Sequence, residues 1–124
     1  MLFPTLVTAP TADVVSLAEA KAHLRVDHSD EDALIQAMID AAVGHIDGFT
    51  GILGRAVMTQ TWSQEYPRFC GDMVLPFGPV KSVTSVAYDS TTFSDFRLLS
   101  DGRGPFLRVN DDVSWPSTEG PVVV

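Results

Sequence analysis

A single cysteine, Cys70, stands in the 124 residues. It excludes an intrachain disulfide framework and a multi-cysteine zinc site. No stretch approaches the roughly 20 consecutive apolar residues of a membrane-spanning helix. The opening MLFPTLVTAP has no basic residue, and two prolines fall where the apolar core of a secretory signal would run. An intracellular origin is therefore the default expectation. Positive charge is also scarce. Sixteen acidic residues against eight basic ones give a formal charge of −8. A protein that grips duplex phosphates carries a basic stripe, and none is visible. Net acidity repels nucleic acid at long range and favours solubility.

Catalytic signatures are missing as well. There is no G-x-S-x-G elbow, P-loop lysine or H-E-x-x-H pair. The densest polar stretch is Asp27-His28-Ser29-Asp30-Glu31-Asp32. A calcium loop needs alternating oxygens, a glycine at its sixth position and a glutamate at its twelfth. Counted from Asp27, those positions hold Asp32 and Met38, so the pattern fails. The same carboxylates suit the first turn of a helix, where they meet the positive end of its dipole. Gly51-Ile52-Leu53-Gly54 matches a GxxG loop, but nothing around it supplies the rest of an RNA-binding KH motif. Cys70 has no histidine near it in sequence, His45 flanks an apolar stripe, and Trp62 and Trp115 read as core or interface anchors. Neither an enzyme, a metal nor a cofactor is expected.

The pattern along the chain is helical first and β-rich afterwards. Residues 1–15 are Pro- and Thr-rich and read as an extended arm. Ser16 followed by Glu19 forms a capping box, predicting a helix over about 17–25. A second helix is predicted over about 30–50, capped by Ser29 or Asp30. Ile35, Ile39, Ala42, Ile46 and Phe49 form its apolar stripe, widened by Leu34 and Met38. A β-region follows over about 56–110, with strands expected at 56–66, 73–75, 80–88, 96–99 and 106–109. Asp101-Gly102 marks a hairpin turn. The fold class is therefore α+β, a helix pair followed by an antiparallel sheet region.

Certain segments carry a resemblance. VSLAEAKAHLRVD (Val15 to Asp27), the Asp30–Asp32 helix start, Thr50-Gly51, TQTW (Thr59 to Trp62), Leu75-Pro76, VKSVTSVAY (Val80 to Tyr88) and Ser114-Trp115-Pro116 follow in one order. In this the chain resembles the head–tail connector (adaptor) proteins of long-tailed phages, prophages and phage-like gene transfer particles. Two departures stand out. Ile52-Leu53-Gly54 is an insertion where such proteins run from Thr-Gly into Arg-Ala. The C-terminal helical region usual after the Trp-Pro segment is absent from this chain.

The resemblance implies a single connector domain over 16–124, with helices in 16–50, a β-region in 55–116 and a tail in 117–124. It implies a virion protein of the particle neck, made in the bacterial cytoplasm. Such a subunit forms a ring, usually of twelve copies, under the portal protein and receives the next neck or tail component, a stopper or tail terminator. DNA passes through without sequence-specific binding, and no membrane is involved. Two surfaces are candidates for contacts: the small-residue strip Ala37, Ala41, Gly44 and Gly48 on the second helix, and a docking tail of Trp115, Val122, Val123 and Val124. The competing reading is a small DNA-binding or regulatory protein using the helix pair as a helix-turn-helix. A recognition helix that begins with three acids argues against it.

Overall fold

In the computed structural model, which describes residues 3–124, helices lead and short antiparallel strands follow. The part of the N-terminal arm formed by Met1 and Leu2 lies outside the described residues. Two compact units are distinguishable: residues 10–60, which hold the helices, and residues 61–124 together with the N-terminal strand.

The helical unit begins as its capping chemistry dictates. The Ser16 side chain accepts from the Glu19 N–H at 3.1 Å, and the Glu19 carboxylate accepts from the Ser16 N–H at 2.8 Å. That reciprocal pair starts α1 (Leu17–Leu24) and holds the Glu19 carboxyl below its usual range, through the Ser16 backbone hydrogen bond first. Arg25 ends α1 in the left-handed conformation at φ 58°. The second helix, α2 (Asp32–Ile46), is shorter than the sequence pattern suggests at both ends. Neither Ser29 nor Asp30 caps it by side chain: Glu31 is the N-cap residue and makes no side-chain cap bond. Asp32 instead reaches across to Lys21 on α1, an ion pair of 2.6 Å. Packing along α1 and that pair hold the two helices together, with Ile35 the buried residue of α2. The far end stops at Ile46 rather than Phe49 because the Asp47 carboxylate is engaged elsewhere. It accepts from the Val57 N–H at 2.8 Å and from the Gln60 amide. The backbone turns out of helical geometry at Asp47 and passes through Gly48 at φ 78°.

The β unit contains three small antiparallel sheets. β1 (Thr5–Thr8) pairs with β2 (Thr61–Ser63). β3 (Glu65–Tyr66), β5 (Val86–Tyr88) and β6 (Thr91–Phe93) join the last strand, β9 (Val122–Val123), in the order β3-β9-β5-β6. β4 (Met73–Val74), β7 (Phe96–Asp101) and β8 (Gly104–Val109) form the third sheet, in the order β4-β8-β7. The expected strand at 56–66 is broken: its first part belongs to the helical unit, and β2 and β3 pair with different partners. Only Val86–Tyr88 of the expected 80–88 strand is paired. Asp89 and Ser90 form a two-residue turn with φ of 44° and 63°. Positive φ at both central residues matches the twist of a tight hairpin, and β6 follows at once. Asp101 pairs with Gly104 across the expected turn.

The C-terminal valines lie in a sheet. Val122 is fully buried, and β9 lies between β3 and β5. Val122 belongs to the core, while Val123 and Val124 are half-buried. Tyr66, Met73, Leu75, Val86, Leu107 and Val122 form one cluster drawing on two of the sheets. Each such side chain contributes about 1.5–3 kcal/mol by leaving water. Trp115 packs against the same cluster, stacked on Phe69 at 5.0 Å with its indole N–H donating to the Gly71 carbonyl at 2.9 Å.

Met73→Ala is expected to destabilise the β unit by about 2–5 kcal/mol, because Met73 is fully buried. Removing residues 116–124 strips a central strand from its sheet and should abolish cooperative unfolding of the same unit. Denaturant titration followed by tryptophan fluorescence checks both.

Candidate assembly surfaces

The turn after α2 is built by backbone hydrogen bonds. The Gly48 N–H donates to the Arg55 carbonyl, Gly51 to Gly48, Ile52 to His45, and Gly54 to Gly51. Gly51 is required here, since any Cβ would overlap the backbone of Ile46 and Asp47. Gly54, at φ 59°, also suits glycine best. Tied down in this way, the loop holds Ile52 and Leu53 in water, 71% and 55% exposed. The GxxG spacing is thus a turn device that displays two large aliphatic side chains.

The same unit has an open cleft of about 200 Å³. Pro10, Val14 and Val15 form one wall; Ile39 and Val43 of α2 and Met58 form the other. Asp13, Asp40 and Asp47 also line it. Asp47 is held by Val57 and Gln60, and Asp40 accepts from Gln36 at 2.9 Å.

The small-residue strip is only partly helical. Ala37, Ala41 and Gly44 are exposed on α2, and a Cβ added at Gly44 would meet nothing within 4 Å. Gly48 is buried beyond the helix end and is not part of the strip. Leu34 and Met38, expected within the apolar stripe, are 53% and 60% exposed. The acidic loop is solvated: Asp27, Asp30 and Glu31 are exposed, and His28 lies 3.8 Å from Asp30. Among the described residues no group of three or more metal-ligating side chains converges, and no helix is long and apolar enough to cross a membrane. Cys70 is an exposed free thiol.

One charged cluster was not legible in the sequence. Asp72 accepts from Arg108 at 2.7 and 2.8 Å and from Arg103 at 3.2 Å. Arg103 also grips Asp101, and both guanidiniums lie over the Phe106 ring at 5.1 and 5.3 Å. The partners are more than thirty residues apart, so only strand pairing of β4 with β8 brings them together. Their sole sequence trace is the i, i+2 spacing of Phe106 and Arg108, which puts both on one face of β8. The Arg108 hydrogen bonds, followed by those of Arg103, hold the Asp72 carboxyl down at about 2. Tyr66 moves the other way, up to about 12, through burial first and then the nearby Cys70. Its hydroxyl donates to the Val74 carbonyl at 2.6 Å.

These surfaces offer shape, apolar area and fixed charge, the means of a protein that acts by contact. Comparison with protein families agrees. Residues 14–93, more than half of the chain, match the family model of the phage gp6-like head-tail connector proteins, and the chain belongs to that family. A head–tail connector is a structural part of a phage particle rather than an enzyme. No curated protein and no solved structure matched the chain.

The Asp72 cluster gives a pH prediction. Its carboxyl titrates near 2 in the folded chain and near 3.8 when released. Between those values the unfolded state binds more protons, so stability rises as pH rises there. The contribution is complete above the released value and is lost as pH falls through about 2. Asp72→Asn should flatten the acid limb of a plot of thermal midpoint against pH, leaving the neutral part parallel to the parent.

Proposed function

We propose that the chain is one subunit of a closed ring, of twelve copies, seated between the portal protein and the next neck component, a stopper or tail terminator. The observation that carries this reading is the family match over residues 14–93. The ring lies in the virion neck and continues the DNA channel toward the tail after packaging. The charge balance supports that role. A net charge of −8 does not hold phosphates, and DNA that must leave quickly is best not gripped. The exposed side of α2 supports self-association: between Ala33 and Ile46 the only carboxylate is Asp40, and no lysine or arginine occurs. A helix that faces water on one side normally carries charge there. Ala37, Ala41 and Gly44 lie on that side, next to Asp40, and are available to a neighbouring copy.

Particles made without this protein should contain packaged heads that lack tails and leak DNA, visible by negative-stain electron microscopy. Supplying the intact chain in trans should restore tailed particles. Normal tails in its absence would remove the connector role. A finer expectation concerns Gly44. Replacement by alanine should raise stability by about 0.5–1 kcal/mol, as relief of a glycine inside a helix does. Replacement by leucine should keep the helix content measured by circular dichroism yet reduce the yield of tailed particles.

A further inference from the structure

Two features of the helical unit complement each other. The first is the Ile52-Leu53 loop, an apolar projection held by four backbone hydrogen bonds and followed, after Gly54, by Arg55. Arg55 is exposed and makes no ion pair among the described residues. The second is the cleft of about 200 Å³ between Pro10–Val15 and α2. A cavity of roughly 150 Å³ accommodates a group the size of benzene, so this cleft has room for one or two aliphatic side chains but not for a helix. Its lining is mixed: Val14, Val15, Ile39, Val43 and Met58 are apolar, and Asp13, Asp40 and Asp47 bring negative charge. The apolar projection matches the apolar part of the cleft, and a cation beside the one matches carboxylates beside the other.

The two features cannot satisfy each other within one copy, since Ile52 and Leu53 stand in water. They also leave α2 on different sides. The loop is tied to the His45 carbonyl. At about 100° per residue, His45 is turned by roughly 120–160° from Ile39, Val43 and Asp47, which line the cleft.

We propose that the Ile52-Leu53 projection of one copy seats in the Pro10–Val15/α2 cleft of the next, with Arg55 facing Asp13 and Asp40 across the joint. The contact is heterologous: each copy offers one projection and one cleft, so association continues until a ring closes. This joint deepens the ring reading and rests on it.

Sedimentation velocity of the full chain over a concentration series tests it. Ile52→Glu with Leu53→Glu should weaken self-association by at least about tenfold, with an unchanged circular dichroism spectrum and thermal midpoint because both residues are exposed. Arg55→Asp should weaken it too, and Asp13→Arg with Asp40→Arg should restore it in that background. Val15→Glu, at the cleft, should also yield monomers. An equimolar mixture of the Ile52/Leu53 variant and the Val15 variant has one intact projection and one intact cleft, and should form dimers and nothing larger. Self-association of the Ile52/Leu53 variant at parental strength overturns the joint, as does a parent that stays monomeric up to ~1 mM or a mixture that stays monomeric. Those failures leave the connector role standing, because that role is decided separately by tail attachment in particles.

Discussion

A strand of two residues closes the β unit. Val122 pairs with Tyr66 on one side and Tyr88 on the other, and Val123 with Glu65 and Ala87. Val124 extends the ladder by exchanging two 2.9 Å hydrogen bonds with Gln64. Without β9, the backbones of β3 and β5 would face each other across a gap with unmade hydrogen bonds, each costly once buried. Val122 also fills the centre of the cluster formed with Met73, Val86 and Leu107. The last residues of the chain therefore hold together two segments, Tyr66 being 56 residues and Tyr88 34 residues upstream of Val122, a non-local closure of the kind that slows folding.

The same economy appears in the helical unit, where one carboxylate fixes a turn. Asp47 ends α2 and clasps Val57 and Gln60, which sets the path of the residues between. Gly48, Gly51 and Gly54 let the backbone make its own bonds inside that path. Two large aliphatic residues then remain in solvent on an ordered loop. Exposed apolar side chains on an ordered, hydrogen-bonded turn are prepared for contact, since little conformational entropy remains to be lost on docking.

A connector has to meet opposing electrostatic demands. In the proposed ring, copies attract one another and their neighbours, while DNA passing through is not held. This chain separates the two demands. The lysine-free, arginine-free run of α2 and the Ile52-Leu53 loop supply apolar surface, and an excess of carboxylates sets the long-range field. Several of the arginines are spent on internal pairs, with Asp72, Asp101 and Asp111. That leaves few cations for phosphates and pins the β7–β8 hairpin in place.

The sequence by itself determined what depends on near neighbours. The Ser16–Glu19 capping box, both helices, the β7–β8 hairpin and the α+β order follow from spacing, capping and turn chemistry between near neighbours, three or four residues apart in the helices and at most 13 in the hairpin. Word order from Val15 to Pro116 carried the connector resemblance, and the family match bears it out over residues 14–93. Tertiary structure alone decided the rest. The short helix end at Ile46 depends on Val57 and Gln60, ten and thirteen residues beyond Asp47. Val122 read as part of a docking tail, not as a strand, because a two-residue strand has no periodicity to detect, and its partners Tyr66 and Tyr88 are far away in sequence. Asp72 had no sign of its arginines, more than thirty residues away, until β4 met β8. A short motif encodes the hydrogen bonds it makes with itself; bonds between distant segments exist only once the chain has closed around them.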